Sequence, residues 1–196
     1  MAYMSEAEKV RELPEVMKYI TGSIIDIGCG DCKIVPEAFG VDGRDLPGVD
    51  LVVKTLGSTM IGFDLEKAGK LESFDTVFSS HVLEHLVNPF MAIRTWTWLL
   101  KPGGNLVLYL PDGDHYDNKG NPEHMQDMKY ESFLFWFKRV FCGEGKNFRG
   151  EHLLPFFELV SHGLDVGPDR YSFWIVARLV GTEDEYKKAT EMQNEC

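Results

Sequence analysis

The chain has 196 residues, of which 44% are apolar and 26% charged, and these proportions suit a single domain with one sizeable core. Its formal net charge of −11 disfavours a nucleic-acid partner, because long-range attraction to a phosphate backbone needs a positive field. There is no run of about eighteen apolar residues, so no transmembrane helix and no membrane partner are expected.

The first residues are polar and acidic rather than basic and then apolar, unlike a secretion signal, and the expected compartment is the cytoplasm. Ser5 and Glu8 have the spacing of a capping box, and Val10, Leu13, Val16, Met17 and Ile20 follow at roughly helical intervals. Residues 1–21 therefore read as a helical segment, with Pro14 breaking it or starting a second short helix. Core packing is the expected role of Met17 and Tyr19.

Residues 24–31 are the stretch around which the rest is organised. Ile24, Ile25 and Ile27 around Asp26 give the nearly continuous apolar pattern of a strand covered on both faces. Gly28 and Gly30, on either side of Cys29, then permit a tight turn and a close backbone approach to a ligand. The third glycine of the dinucleotide fingerprint is replaced by Lys33, which weakens a nicotinamide or flavin reading. Asp26 stands where it can order the loop or accept a hydrogen bond from a cationic ligand. Cys29 and Cys32 form one C-x-x-C with no second pair, so neither a zinc site nor a redox pair is expected.

Residues 34–39 are too short and proline-interrupted for a long crossover helix, so a first helix must be abbreviated before the second strand ends at Asp42. Two stretches compete for the third strand, 50–53 and 60–63. Residues 74–80 form the fourth strand, and Ser80 and His81 fall at its carboxyl end, where open α/β sheets bind ligands. His81 and His85 flank Glu84 without the H-E-x-x-H order or an evident third ligand, so no metal is expected there. Asn88-Pro89 starts a helix as N-cap and first residue. Lys101-Pro102-Gly103-Gly104 ends that helix, and 105–110 form the fifth strand.

A polar, turn-rich segment follows Asp112. Phe133, Phe137 and Val140, flanked by Leu134 and Phe141, predict a core-facing helix over 130–141. Residues 154–160 and 171–180 read as an antiparallel hairpin joined by 163–168, with a charged tail or short helix from Thr182. No repeat or linker divides the chain, so 1–196 reads as one domain with an insertion at 113–145.

The ordered motifs Asp-Ile-Gly-Cys-Gly (26–30), Ser-His-Val-Leu-Glu-His (80–85) and Leu-Lys-Pro-Gly-Gly (100–104) resemble those of the class I S-adenosylmethionine (SAM)-dependent methyltransferases, a resemblance covering roughly residues 24–112. It implies an α/β, Rossmann-like doubly wound sheet, mostly parallel, with a C-terminal antiparallel hairpin. It implies SAM as cofactor and S-adenosylhomocysteine as product, held by Asp26, Gly28, Cys29, Gly30, Asp42, Asp64, Leu65, Ser80 and His81. In that family the acid ending the second strand, here Asp42, takes the ribose hydroxyls. The acid after the third strand faces the adenine amine, and the register of Asp64-Leu65-Glu66 before Ser73-Phe74-Asp75 favours Asp64. The segment after the fifth strand often covers the acceptor, which makes Asp112, His115, Tyr116 and His124 acceptor-side candidates and His81 a candidate general base. Transfer would be in-line attack of an acceptor oxygen, nitrogen or carbon on the sulfonium methyl, so orientation and desolvation can carry the reaction. The Asn/Asp-Pro-Pro-Tyr motif of enzymes acting on base amines is absent after the fourth strand. The expected acceptor is a small molecule such as a sugar or metabolite, and the competing reading is a non-catalytic SAM- or nucleoside-binding regulatory module.

Overall fold

The computed structural model describes residues 4–53, 65, 67–117, 120–147, 149–150, 152–153 and 155–181. Helix α1 (Glu6–Arg11) begins at the expected capping box: Ser5 Oγ accepts from the Glu8 amide at 3.2 Å, and Glu8 Oε2 accepts from the Ser5 amide at 2.8 Å. Pro14 occupies the first turn of the short helix α2 (Pro14–Met17), a position where its missing N–H costs nothing.

Seven strands follow among the described residues: β1 (Ile24–Ile27), β2 (Phe39–Asp42), β3 (Leu51–Val52), β4 (Phe74–Ser80), β5 (Leu100–Pro111), β6 (Phe157–Gly167) and β7 (Arg170–Leu179). They form one sheet in the order β3-β2-β1-β4-β5-β7-β6, parallel from β3 to β5 and antiparallel from β5 to β6. This is the expected doubly wound architecture with its antiparallel hairpin. Two further helices come after β4 in the chain among the described residues, α3 (Pro89–Thr97) and α4 (Tyr130–Phe141).

The alternation of side chains along each strand divides the core in two. Ile25, Ile27, Val77, Leu106, Leu108 and Leu110 pack with Ala92, Ile93 and Trp96 of α3 and with Phe133, Leu134, Phe137 and Phe141 of α4. Their neighbours Ile24, Phe78, Val107 and Tyr109 pack with Val10 of α1, Val16 of α2, and Ile34 and Ala38 of the β1–β2 connection. Met17 and Tyr19 pack against this second cluster, as expected of core residues. Among the described residues no helix is long and apolar enough to cross a membrane.

Three expectations are corrected, and a fourth lies partly outside the described residues. The β1–β2 connection holds no helix at all: residues 28–38 run as successive turns, and Ile34 and Ala38 bury themselves beside α1. Leu51–Val52 lies parallel beside β2; the competing stretch 60–63 and Asp64 lie outside the described residues, as does the tail from Thr182. Helix α3 stops at Thr97, and Lys101 to Gly104 belong to β5, because Leu100 already pairs with Phe74 ahead of an irregularity in the β4–β5 ladder. Gly163 lies inside β6 and not in a connection: a Cβ there would stand 2.4 Å from the Trp174 ring, so the glycine admits a close cross-strand approach. The chain instead reverses at Pro168-Asp169, with Asp169 at φ +61°.

Candidate active site

Parallel register brings the carboxyl ends of β1, β2 and β4 to one edge of the sheet, with Ile27 opposite both Val41 and Ser79. A cleft of about 800 Å³ opens there, bounded by Gly28, Asp42 and Arg44 at one end and by His81, His85 and the segment around Glu123 at the other. Clefts at this position are where open α/β sheets hold ligands, and the volume is that of a small-molecule site.

The glycine loop is fixed from three sides. Gly28 has φ +80°, and a Cβ on it would lie 2.1 Å from Val82 Cγ2, so the residue after β1 and the segment after β4 touch directly. Asp26 is buried, and its Oδ2 accepts from the Ile34 amide at 2.6 Å; burial pushes its carboxyl up to about 7. It orders the loop from beneath and does not line the cleft. Cys29 is buried as well, and burial pushes its thiol up to about 12, which makes it an inert packing group. Cys29, Cys32 and Cys142 are all free thiols. Lys33, standing where a dinucleotide site has its third glycine, donates to Asp50 Oδ2 at 3.1 Å, and Asp50 also accepts from the Gly40 amide at 2.7 Å. Asp50 thus ties the loop to β2.

Asp42 ends β2 at the cleft. Its Oδ2 accepts from the Gly30 amide at 2.9 Å, and its Oδ1 accepts from the Arg44 amide at 2.9 Å and from Arg44 Nε at 3.2 Å. A carboxylate offers about four acceptor positions. Three are in use, so a diol finds its full partner only when the Arg44 side chain, 71% exposed, swings aside. Arg44 carried no signal in the sequence beyond its place two residues after Asp42. Leu65 is fully buried in the core cluster with Val41 and Val53, and not at the cleft.

At the end of β4 the backbone turns through His81 at φ +51°, and the His81 amide donates to the Tyr109 carbonyl at 2.9 Å. The His81 ring lies over Tyr109, with Nε2 2.9 Å from Ser172 Oγ and 3.5 Å from Glu6 Oε2. Burial pushes this imidazole down to about 3, so it is neutral and weakly basic. Glu6, from the first turn of α1, and Ser172 and Tyr171, from β7, were not foreseen as neighbours of this histidine. They come from opposite ends of the chain, and only the capping box hinted at where the acid would sit.

A short 3-10 turn, Leu83–His85, follows. Glu84 is fully buried, and burial pushes its carboxyl up to about 8. Among the described residues, neither of its carboxylate oxygens nor Ser80 Oγ has a hydrogen-bond partner. Its backbone carbonyl accepts from the amides of Met125 and Gln126 at 2.7 and 3.0 Å, which docks the segment after β5 onto the end of β4.

That docking sorts the acceptor-side candidates. Asp112 is a scaffold: its Oδ1 accepts from the Tyr130 amide at the start of α4, its Oδ2 is 2.7 Å from His115 Nδ1, and its carbonyl accepts from the amides of His115 and Tyr116. His115 is paired with Asp112 on the surface, 45% exposed. Tyr116 stacks on Tyr171 at 4.5 Å, and the His124 ring lies 5.8 Å from Tyr116 and 4.7 Å, edge-on, from His85. Of the candidates, His81, Tyr116 and His124 therefore converge with His85 and Tyr171, while Asp112 and His115 stand aside. Glu84, His85 and His124 each present a ligand atom, and these atoms lie within 4.8 Å of one another. The third group that 81–85 lacked in the sequence thus comes from the segment after β5.

Comparison with known proteins accords with this geometry. The chain is 31% identical over 100 residues to the ubiquinone biosynthesis O-methyltransferase of Dechloromonas aromatica, covering 43% of this chain and 42% of that one. It is 29% identical over 148 residues to the tRNA U34 carboxymethyltransferase of Haemophilus ducreyi, covering 67% and 46%. The matches thus span less than half the length of these relatives. An S-adenosylmethionine dependent methyltransferase from Mesorhizobium loti shares the fold, with a TM-score of 0.55 at 13% identity over 88% of this chain and 99% of that one. A methyltransferase domain model matches residues 7–161, so the chain belongs to the methyltransferase domain family and has the class I fold of its SAM-dependent members.

Proposed function

We propose that the chain transfers a methyl group from SAM to an oxygen, nitrogen or carbon of a small molecule seated beneath the segment that follows β5. The carrying observation is the cleft itself, which joins the Gly28 turn and Asp42 at one end to the His81–His85 segment at the other. In this reading Gly28 and Gly30 let the backbone approach the methionine portion, and Asp42 receives the ribose. The sulfonium methyl then points toward Tyr116 and His124. His81, pinned by Ser172 and Tyr109 and weakly basic, positions its neighbours and takes no proton. Orientation and exclusion of water carry the rate, since the positive sulfur has already activated the methyl.

A small acceptor fits the net charge of −11 and the cleft volume. An RNA acceptor is the second reading, favoured by the similarity to the tRNA enzyme. The test is melting of the protein with SAM and with S-adenosylhomocysteine, followed by methyl transfer to a panel of phenols, sugars, amines and bulk tRNA. No melting shift at saturating concentration of either nucleoside would sink the SAM reading. Transfer to tRNA alone would replace the small acceptor, and binding without transfer to any acceptor would leave a regulatory SAM-binding module.

A further inference from the structure

The group formed by Glu84, His85 and His124 is more than the proposed reaction requires, since methyl transfer to an oriented acceptor needs neither a carboxylate sealed from solvent nor two further imidazoles beside it. Burying a carboxyl group whose oxygens make no hydrogen bond is costly to a protein in either protonation state. Glu84 is 0% exposed, and among the described residues neither of its oxygens has a hydrogen-bond partner. Its Oε1 is directed at imidazoles instead, 3.8 Å from His85 Nε2 and 3.7 Å from His81 Nδ1. These separations are too long for hydrogen bonds. The Glu84–His85 separation is close to the roughly 3.4 Å between two donors sharing one ion at bond lengths of about 2.1 Å, and the donor atoms of Glu84, His85 and His124 all lie within 4.8 Å of one another.

The tautomer of His85 fits the same role. His85 Nδ1 lies 3.1 Å from the Glu123 carbonyl, an acceptor only, so Nδ1 carries the proton and the Nε2 lone pair faces Glu84. A backbone carbonyl that fixes the far nitrogen of an imidazole is the usual companion of a metal-ligating histidine. Glu123 belongs to the same segment as His124, and that segment is held in place by the Met125 and Gln126 amides on the Glu84 carbonyl. The third donor is thereby anchored to the first.

We propose that Glu84, His85 and His124 bind one divalent first-row transition ion at the acceptor end of the cleft. Two imidazoles and one carboxylate select such an ion over magnesium or calcium, which prefer all-oxygen shells. Three protein donors leave positions open, and His85 and Glu123 line the cleft, so those positions face the bound acceptor. Resting on the methyl-transfer reading, this names the acceptor class: molecules that present a metal-binding oxygen, such as a phenolate, a vicinal diol or a carboxylate, beside the methylated atom.

The test uses the untagged 196-residue chain stripped with a chelator and then titrated with Co²⁺ followed by absorption, and with Zn²⁺ followed by calorimetry. One equivalent of each is expected, with cobalt d–d bands, no sulfur-to-cobalt charge transfer, and a higher melting temperature. His124→Ala and Glu84→Gln should each weaken Co²⁺ binding at least tenfold. A cooperative melt without metal shows whether each variant folds; if the buried Glu84→Gln does not, His124→Ala on the surface segment decides. No saturable uptake, uptake unchanged in His124→Ala, a sulfur-to-cobalt band, or equal affinity for Mg²⁺ would each overturn the proposal. The S-adenosylhomocysteine melting shift of the unsubstituted protein is measured in parallel. Its absence alongside cobalt binding would remove the methyl-transfer reading and keep the metal site, and the reverse pattern would do the opposite.

Discussion

Gly28→Ala tests how the two halves of the cleft are joined. The new Cβ would stand 2.1 Å from Val82 Cγ2, and the residue would be held at φ +80°. The left-handed backbone costs an L-residue about 1–2 kcal/mol, and forcing a methyl into a packed contact costs about 1–3 kcal/mol more, so the variant should lose roughly 2–5 kcal/mol. Val82→Ala alone removes two buried methyl groups, about 1.5 kcal/mol at ~0.8 kcal/mol each. In the double variant the overlap is gone while the backbone cost remains, so its loss should fall short of the sum of the singles by about 1–3 kcal/mol. Urea unfolding of the four proteins, with S-adenosylhomocysteine melting shifts alongside, measures this coupling. Additivity within about 0.5 kcal/mol would refute the direct contact between the Gly28 turn and the segment after β4.

Asp42→Ala should weaken S-adenosylhomocysteine binding by about 1–3 kcal/mol, the range for a lost charged hydrogen bond, whereas Arg44→Ala should leave it unchanged or tighter because it frees an acceptor position; calorimetric titration of both variants checks the contrast. The Asp26 carboxyl sits near 7 in the folded state against about 3.9 when unfolded. The folded protein therefore binds the extra proton between those values, and stability from this group is full at acid pH and is lost as pH rises toward 7. Asp26→Asn should lose that slope, so its melting temperature should gain on the unsubstituted protein from pH 4.5 to 8; parallel curves would refute the assignment. Gly163→Ala should destabilise by about 1–3 kcal/mol, because its Cβ would meet the Trp174 ring at 2.4 Å, and Trp174→Phe should relieve part of that loss in thermal melts.

Local chemistry settled much of this protein from sequence. The capping box at Ser5, the proline starts of α2 and α3, the apolar runs of β1 and β4 and the aromatic stripe of α4 all stand where the pattern put them. Each depends on residues within a turn or two of one another, and so does the glycine loop from which the family was legible. Where packing decides, sequence reading failed. Residues 34–38 form no abbreviated helix, and Ile34 and Ala38 pack instead into the cluster that holds Val10 of α1 and Val16 of α2. Leu100 joins β5 ahead of the Pro-Gly-Gly because Phe74 pairs with it, and Gly163 passes through a strand because Trp174 lies against it.

The site divides in the same way. Gly28, Asp42 and His81 were identified as site residues because each ends a strand or opens the turn after it, and a parallel sheet collects such ends at one edge. Their partners were not legible. Glu6 reaches His81 from the first helix, Ser172 and Tyr171 from the last strand, and His124 meets Glu84 and His85 across the segment after β5. Sequence alone pointed to the edge of the sheet at which the cleft opens. The docking of the segment after β5 onto the end of β4, which no local pattern encodes, decided that His124 stands beside the buried Glu84 and His85.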